Sequence, residues 1–307
     1  MKKKFIFVSL ILFTGYILVC PKDAVRAAAD GLVLWYEQVL PTLLPFAILS
    51  NVLIYSNYLQ YVTRYTAPVI RRLFPVSENG AFVLFSGFLF GFPMGSRNCA
   101  ELLRCGGISK KEADVLFIVT NNISPVFISS YILCQQLNMP SLTLISYAVL
   151  YLPPLAAGRI LLRKNTAADC LQKKPASRFQ MNFKIMDAGI MNGFETLTRL
   201  GGYIMLFSMI ASMVKKLPLP AVCSLVVTGM TEITNGISLL KDAPLSPGLC
   251  YVLAMTFTAF GGLSGIAQTS SMVRDTGLSL KKYSLLKCLL TAVSALLALG
   301  AAFLAGL

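Results

Sequence analysis

Two stretches of this 307-residue chain align without a gap, and each is interrupted by glycine before it is long enough to cross a bilayer. Phe90-Gly91-Phe92-Pro93-Met94-Gly95 faces Phe260-Gly261-Gly262-Leu263-Ser264-Gly265 at an offset of 170. The same offset pairs Arg104 with Arg274, Gly107 with Gly277, Ser109 with Ser279 and Lys111 with Lys281. Each copy reads as an apolar helix, a Phe-Gly-x-x-x-Gly turn, a polar helix, a Gly-[Ile/Leu]-Ser cap, a lysine and then a span. The apolar halves, 81–90 and 251–260, fall short of the about 20 residues that a hydrocarbon core of ~30 Å demands. A glycine turn lets the chain reverse and the polar half return to the face of entry. The pattern therefore predicts two re-entrant helical hairpins, over 80–107 and 250–277. Broken backbone at membrane depth is tolerated only where protein or an aqueous cavity satisfies it, and paired interruptions in matching halves point to a transporter's binding site. A Gly-x-x-x-Gly also serves as a plain helix–helix contact; two copies in register, each with the same Arg and Ser behind it, favour the hairpin.

The setting follows from charge. Hydrophobic residues make up 56% of the chain and charged ones 13%, about half the share of a soluble domain, and mean hydropathy is +0.70. Too little polar surface is present to cover a soluble fold, so the chain is expected to be an integral membrane protein. Its 27 Lys+Arg against 13 Asp+Glu give +14, which in so apolar a chain reflects cytoplasmic loops and anionic lipid headgroups and not nucleic acid. With no histidine, a His-based triad or zinc site is excluded, while a Ser–Lys or carboxylate mechanism is not. No Asp-x-x-Asp cluster supports one, and neither enzymatic activity nor a cofactor is expected. The eight cysteines lack CxxC spacing and mostly sit in apolar runs, as small buried side chains would.

Along the chain, Lys2-Lys3-Lys4 and the apolar run 5–20 have the outline of a signal peptide, but Asp23, Arg26 and Asp30 follow at once and more spans come after. An uncleaved first helix with its N-terminus in the cytoplasm is expected, closing with a short loop over 1–31. The first repeat and its connecting span cover 32–162, with a span at 32–55, an interfacial amphipathic helix at 57–74 built on Arg64, Arg71, Arg72 and interleaved tyrosines, the first hairpin, and spans at 112–137 and 142–162. Asn121-Asn122-Ile123-Ser124-Pro125 interrupts the first of these two spans. The basic segment 163–187 is placed in the cytoplasm, and the second repeat covers 188–307, with spans at 194–214 and 283–304 and an apolar stretch, 219–240, broken around Glu232. Three crossings separate the starts of the two copies, so the repeats are expected to be inverted. That arrangement leaves Arg274, Lys281 and Lys282 outside, against the positive-inside trend.

The strings Gly91-Phe92-Pro93-Met94-Gly95-Ser96, Ala100-Glu101-Leu102, Gly107-Ile108-Ser109-Lys110 and Asn121-Asn122-x-x-Pro125 together resemble the Gate-domain membrane proteins, and in particular the family's sporulation members. Thr231-Glu232-x-Thr234-x-Gly236 and Phe260-Gly261-Gly262-Leu263-Ser264-x-x-x-Gln268-Thr269 extend the resemblance to about 32–304. It implies an all-α polytopic fold similar to the concentrative nucleoside transporters, with inverted hairpin repeats. It also implies movement of dipicolinic acid across the mother-cell-derived membrane around a forming spore.

A planar dianion needs positive potential without a solvated surface, which half-helix N-termini supply. The expected substrate contacts are Gly91, Pro93, Gly95, Ser96 and Arg97 at the first hairpin; Gly261, Gly262, Ser264, Gln268 and Thr269 at the second; and Asn121, Asn122 and Ser124 at the interrupted span. Arg97 at membrane depth calls for a partner, either a substrate carboxylate or Glu101 one turn on. Glu232, with Thr234 and Asn235, is an acid in an apolar segment and the expected coupling site for a proton or Na+; the alternative is a satisfied interhelical hydrogen bond. Glu195 is expected to pair with Arg199, and Glu37 to lie near water at a span end. The leading expectation is a secondary transporter of a small organic anion working by alternating access. The alternatives are a nucleoside carrier, for which the amides and hydroxyls of Asn121, Asn122, Gln268 and Thr269 are suited, and a non-transporting Gate scaffold or channel subunit. Expected partners are the anion, a coupling proton or Na+, the bilayer and a second copy of the chain.

Overall fold

The computed structural model describes residues 2–56, 58–164 and 182–307, and these are helical wherever they are regular. Most of the basic segment 163–187 lies outside the described residues. Helix α1 (Lys2–Val19) leads into α2 (Pro21–Leu34), which continues through a π-helical turn (Trp35–Val39) into α3 (Leu40–Tyr55). The expected loop before residue 32 is therefore helix. Pro21 occupies a first-turn position and an alanine-rich run follows, both of which favour helix. Pro21–Tyr55 forms one apolar unit of 35 residues. Helix α9 (Phe183–Lys215) packs antiparallel along it through glycines. A Cβ on Gly189 would meet Val52 at 2.6 Å, one on Gly193 would meet Ile48 at 2.9 Å, and one on Gly201 would meet Trp35 at 2.8 Å. These missing side chains are what let the backbones approach.

Helix α4 (Leu59–Leu73) buries Leu59, Thr63 and Ala67 on one face, exposes its arginines and tyrosines, and meets α5 (Glu78–Phe90) at 88°. Ser77 caps α5 by accepting from Gly80 N at 2.9 Å. Gly91, at φ +77°, ends it, and after Pro93 the chain resumes as α6 (Met94–Arg104). α5 and α6 fold back on each other: Asn98 Nδ2 donates to Ser86 Oγ at 3.0 Å and Asn79 Nδ2 to the Gly107 carbonyl at 2.9 Å. Helix α7 (Lys110–Val119) is capped by Ser109; after an extended break the chain continues as a π-helix (Phe127–Gln136), and α8 (Thr143–Lys164) follows.

The second half corrects the expected register. Helices α10 (Ala221–Thr231) and α11 (Ile233–Leu240) form the folded-back pair here, since a Cβ on Gly236 would lie 2.1 Å from Gly229 Cα. Helices α12 (Pro247–Phe260) and α13 (Gly262–Met272), expected as a hairpin over 250–277, instead run end to end as one 26-residue apolar unit. Their contacts with α14 (Leu280–Leu304) prove the direction. Thr269 lies beside Tyr283, Gly261 beside Lys287, and Gly248 beside Leu307, an ordered run from one end of the unit to the other. Folded-back pair, broken helix, unbroken helix thus occurs twice. Helices α7 and α12 start 137 residues apart (Lys110, Pro247), and so do α8 and α14 (Thr143, Leu280). The offset of 170 matched a hairpin tip to the break of a span. Both need a glycine at positive φ to end a helix. Three residues separate the helices at Gly91, whereas Gly261 alone separates them in the second copy.

Large apolar side chains face outward along the long helices, among them Leu285, Leu289, Leu296 and Phe303 on α14. Five helices among the described residues are long and apolar enough to cross a membrane, six if α4 and α5 are counted together. Cysteines do not all follow the expected burial: Cys99 and Cys250 are buried, but Cys105, Cys134, Cys223 and Cys288 are exposed.

Gly236→Ala should force apart the α10–α11 backbones and lower stability by about 1–3 kcal/mol. Gly202→Ala, where a Cβ meets nothing within 4 Å, should be neutral or stabilising by about 0.4–1 kcal/mol. Thermal melting of the detergent-purified variants reads both.

Candidate functional site

The break after α7 frees a run of backbone carbonyls, and each from residue 121 to 125 is met by a donor. Lys287 Nζ reaches the Asn121 carbonyl at 2.8 Å, and Phe92 N reaches that of Asn122 at 2.5 Å. Tyr151 Oη donates to Ile123 at 2.7 Å and Tyr147 Oη to Pro125 at 3.0 Å, while Ser124 receives Ile128 N at 3.1 Å. Ile128 N belongs to the broken helix itself; the other donors come from α14, from the tip of the first folded-back pair, and from α8. The tip itself is seated in the break, because a Cβ on Gly91 would lie 2.4 Å from Ser124 N and one on Gly95 would lie 2.3 Å from the Thr120 carbonyl.

Asn121 ties the same elements through its side chain. Its Nδ2 donates to Thr269 Oγ1 and to Tyr283 Oη, each at 2.7 Å, and its Oδ1 accepts from Ser96 Oγ at 3.1 Å. Asn122 Nδ2 turns back to the Val119 carbonyl at 2.6 Å, and its Oδ1 faces Lys287 Nζ at 3.3 Å. Asn121, Asn122, Ser96 and Thr269, expected as substrate contacts, are thus joined to partners within the chain. Pro93 lends its carbonyl to Ser96 at 2.9 Å.

A cavity of about 100 Å³ lies where the two tips and the two breaks converge, several times the ~10–15 Å³ that one water requires. Phe90 and Phe92 come from the first tip, Glu232 and Thr234 from the second, Ser124 and Phe127 from the first break, and Gly261, Ser264 and Gln268 from the second; α2, α3 and α9 close the side with Gln38, Thr42 and Leu200 among others. Glu232 caps α11: its Oε2 accepts from Asn235 N at 2.9 Å, from Asn235 Nδ2 at 3.0 Å and from the Thr234 hydroxyl. Gln268 gives its amide N–H to Ser264 Oγ at 2.8 Å, and its Oε1 is buried with no partner. The wall holds one carboxylate and no cationic side chain.

Arg97 lies elsewhere. Only 6% exposed, it donates from Nε to Thr196 Oγ1 at 2.8 Å and from Nη2 to Asn51 Oδ1 at 2.6 Å, while Nη1 is buried and unpartnered. It lines a second cavity of about 190 Å³ with Tyr55, Asn192 and Arg199. Glu101, one turn on and the alternative to a substrate carboxylate as its partner, pairs with Arg104 at 3.3 Å instead, and Glu195 pairs with Arg199 at 2.5 Å as its spacing predicts. Glu37 is exposed.

Sequence reasoning passed over Lys287. It sits within the apolar span of α14, is 3% exposed, and is held against the α7 break. The signal was present, since an ionisable residue inside a span is a candidate functional group. Tyr283, fully enclosed at 1% exposure, is the other unflagged member of the cluster.

Asn121→Ala removes three buried side-chain hydrogen bonds at once, to Ser96, Thr269 and Tyr283, and should lower stability by about 2–4 kcal/mol, whereas Ser96→Ala should cost about 1 kcal/mol or less. A double-mutant cycle between them in thermal or denaturant melts should return a coupling of at least about 0.5 kcal/mol.

Residues 37–137, which hold the first folded-back pair and the whole first broken helix, match the Gate family, described as nucleoside recognition. No solved structure matches the chain. Over 319 aligned residues, 92% of this chain and 78% of the relative, it is 28% identical to the sporulation integral membrane protein YlbJ of Bacillus subtilis (strain 168). The chain is an integral membrane protein that is similar to the Gate family over residues 37–137 and to YlbJ along most of its length.

Proposed function

We propose that the protein is a secondary transporter whose substrate binds in the cavity between the two tips and the two breaks. The observation that carries the proposal is that convergence itself: four interrupted helices present their broken ends to one cavity, the arrangement that alternating access needs around a central site. On this reading both folded-back pairs are re-entrant. The first enters from the cytoplasm and the second from outside, since the broken helix through 136, α8 and α9 make three crossings between them. Treating α12–α13 as a full crossing also returns Arg274, Lys281 and Lys282 to the cytoplasmic side, in keeping with the positive-inside trend. Arg104 Nη2 donating to the Arg274 carbonyl at 2.9 Å supports it, because both then lie at the same membrane face. Arg274→Cys should accept an impermeant thiol reagent only from the cytoplasmic side and Asp242→Cys only from outside, in a cysteine-free background; the reverse pattern sinks this orientation.

The substrate favoured by the likeness to a sporulation protein is dipicolinic acid, carried across the mother-cell-derived membrane around the forming spore. Phe90, Phe92 and Phe127 suit a planar ring. Buried Arg97 supplies positive charge and receives the anion in its own cavity before it passes to the central one. Glu232 takes the coupling proton, which removes the only carboxylate charge from the wall of the central cavity as the anion enters. Glu232→Gln should lower proton-driven accumulation at least 10-fold while sparing counterflow exchange.

A second reading, a nucleoside carrier, is favoured by the lining of the central cavity: Gln268 Oε1 waits for a donor and no cationic side chain is present. Uptake of dipicolinate and of nucleosides into proteoliposomes under proton and sodium gradients separates the two. Arg97→Gln should weaken dipicolinate uptake more than nucleoside uptake, and protein that moves neither solute defeats both readings.

A further inference from the structure

We infer that Lys287 is a resident cation, an ammonium group built into the chain at the place where a coupling metal ion would otherwise bind. The unwound carbonyls of broken transmembrane helices are ready ligands for Na+. Here one such carbonyl, that of Asn121 at 2.8 Å, and a side-chain oxygen, Asn122 Oδ1 at 3.3 Å, converge on Lys287 Nζ instead. The lysine is 3% exposed and carries its charge inward from α14. Its side chain also passes the second break, with Cε 3.9 Å from the position a Gly261 Cβ would take. The tethered charge thus binds at the first interruption while the methylene arm that carries it packs beside the second.

Two consequences follow. The ammonium group excludes Na+ from these oxygens by occupancy and by like charge, so the protein does not use sodium there. Coupling then falls to a proton, for which Glu232, in the wall of the cavity, is the group placed to carry it. This second consequence rests on the transporter reading above; the first concerns cation binding alone.

The test is thermal melting of the full chain in detergent, in NaCl, KCl, NH4Cl and choline chloride at equal ionic strength. Wild type should melt within about 1 °C in sodium, potassium and choline. Lys287→Met keeps the bulk of the arm and removes the charge; in choline it should melt about 5–10 °C lower. Na+ or NH4+, small enough to enter the vacated oxygens, should recover at least half of that loss. A sodium-specific rise in wild type overturns the inference, and so does a K287M loss that is the same in every salt. Should K287M yield no folded protein, the wild-type comparison decides alone. The readout is stability and not flux. Protein that passes it yet moves no solute keeps the resident cation and loses the transport reading; protein that transports but is specifically stabilised by sodium does the reverse.

Discussion

The seating of one helical tip in the break of another helix is the contact on which the rest of the structure depends. A chain in hydrocarbon cannot leave backbone carbonyls bare, because water is not there to take them, and each orphan costs on the order of several kcal/mol. The break between Val119 and Phe127 exposes a full turn of them. It is sustained only because α8, α14 and the α5–α6 tip each deliver a donor to a named carbonyl. Remove the tip and Asn122 loses Phe92; remove α14 and Asn121 loses Lys287. The first folded-back pair, the broken helix and the two flanking helices are therefore one unit with a shared set of hydrogen bonds. Close approach at Gly91 and Gly95 is what brings that unit together.

This dependence also marks where movement is cheap and where it is not. Within the α7 break every carbonyl from 121 to 125 is committed, so local rearrangement there would break several bonds together. The second folded-back pair is tied more lightly. Its tip carries Glu232, whose carboxylate is engaged by its own neighbours Thr234 and Asn235, and Asn235 reaches out to Ser208 of α9 at 3.2 Å. A change in charge at Glu232 acts first on the cap of the eight-residue α11 and only then on the cavity. The proposed coupling thus passes through a short, locally capped helix and leaves the dense cluster around Asn121 intact.

Much of this was legible in the sequence, and the failures have physical causes. Apolar lengths, the interruption at 121–125, the amphipathic helix after residue 57 and the Glu195–Arg199 pair were all readable, because each rests on local spacing. The register of the repeat was not. Gly91 and Gly261 have the same local job, ending an apolar helix at positive φ, and nothing within six residues says whether the chain then turns back or goes on. That is decided by what the next helix meets. α6 finds Ser86 and Gly87 of its own partner, whereas α13 finds α14 continuing alongside it. Long-range partners hid the roles of single residues in the same way. Arg97 looked one turn along its helix to Glu101, yet its bonds go to Asn51 and Thr196, dozens of residues away on either side. Lys287 was concealed by a run of leucines whose periodicity is that of any span.

The charges that remain inside fall into two classes, and the difference bears on how an anion is handled. Arg97 and Lys287 are both buried, but their surroundings are unequal. Lys287 is spent on backbone and amide oxygens at the break, fixed by two bonds to consecutive residues. Arg97 keeps Nη1 buried and unpartnered, and the residue borders a cavity that opens among Asn192, Glu195 and Arg199. A buried guanidinium nitrogen without an acceptor is an expensive thing to maintain, and a carboxylate is the ligand its fork geometry fits. The central cavity shows the complementary deficit, an unpartnered acceptor at Gln268 and an acid at Glu232. A carboxylate answers the first deficit, whereas the second calls for a donor, which the N–H and O–H groups of a neutral solute supply. The pair of deficits, one for an acceptor and one for a donor, makes Arg97 the group whose removal most sharply separates an anion carrier from a nucleoside carrier built on the same helices.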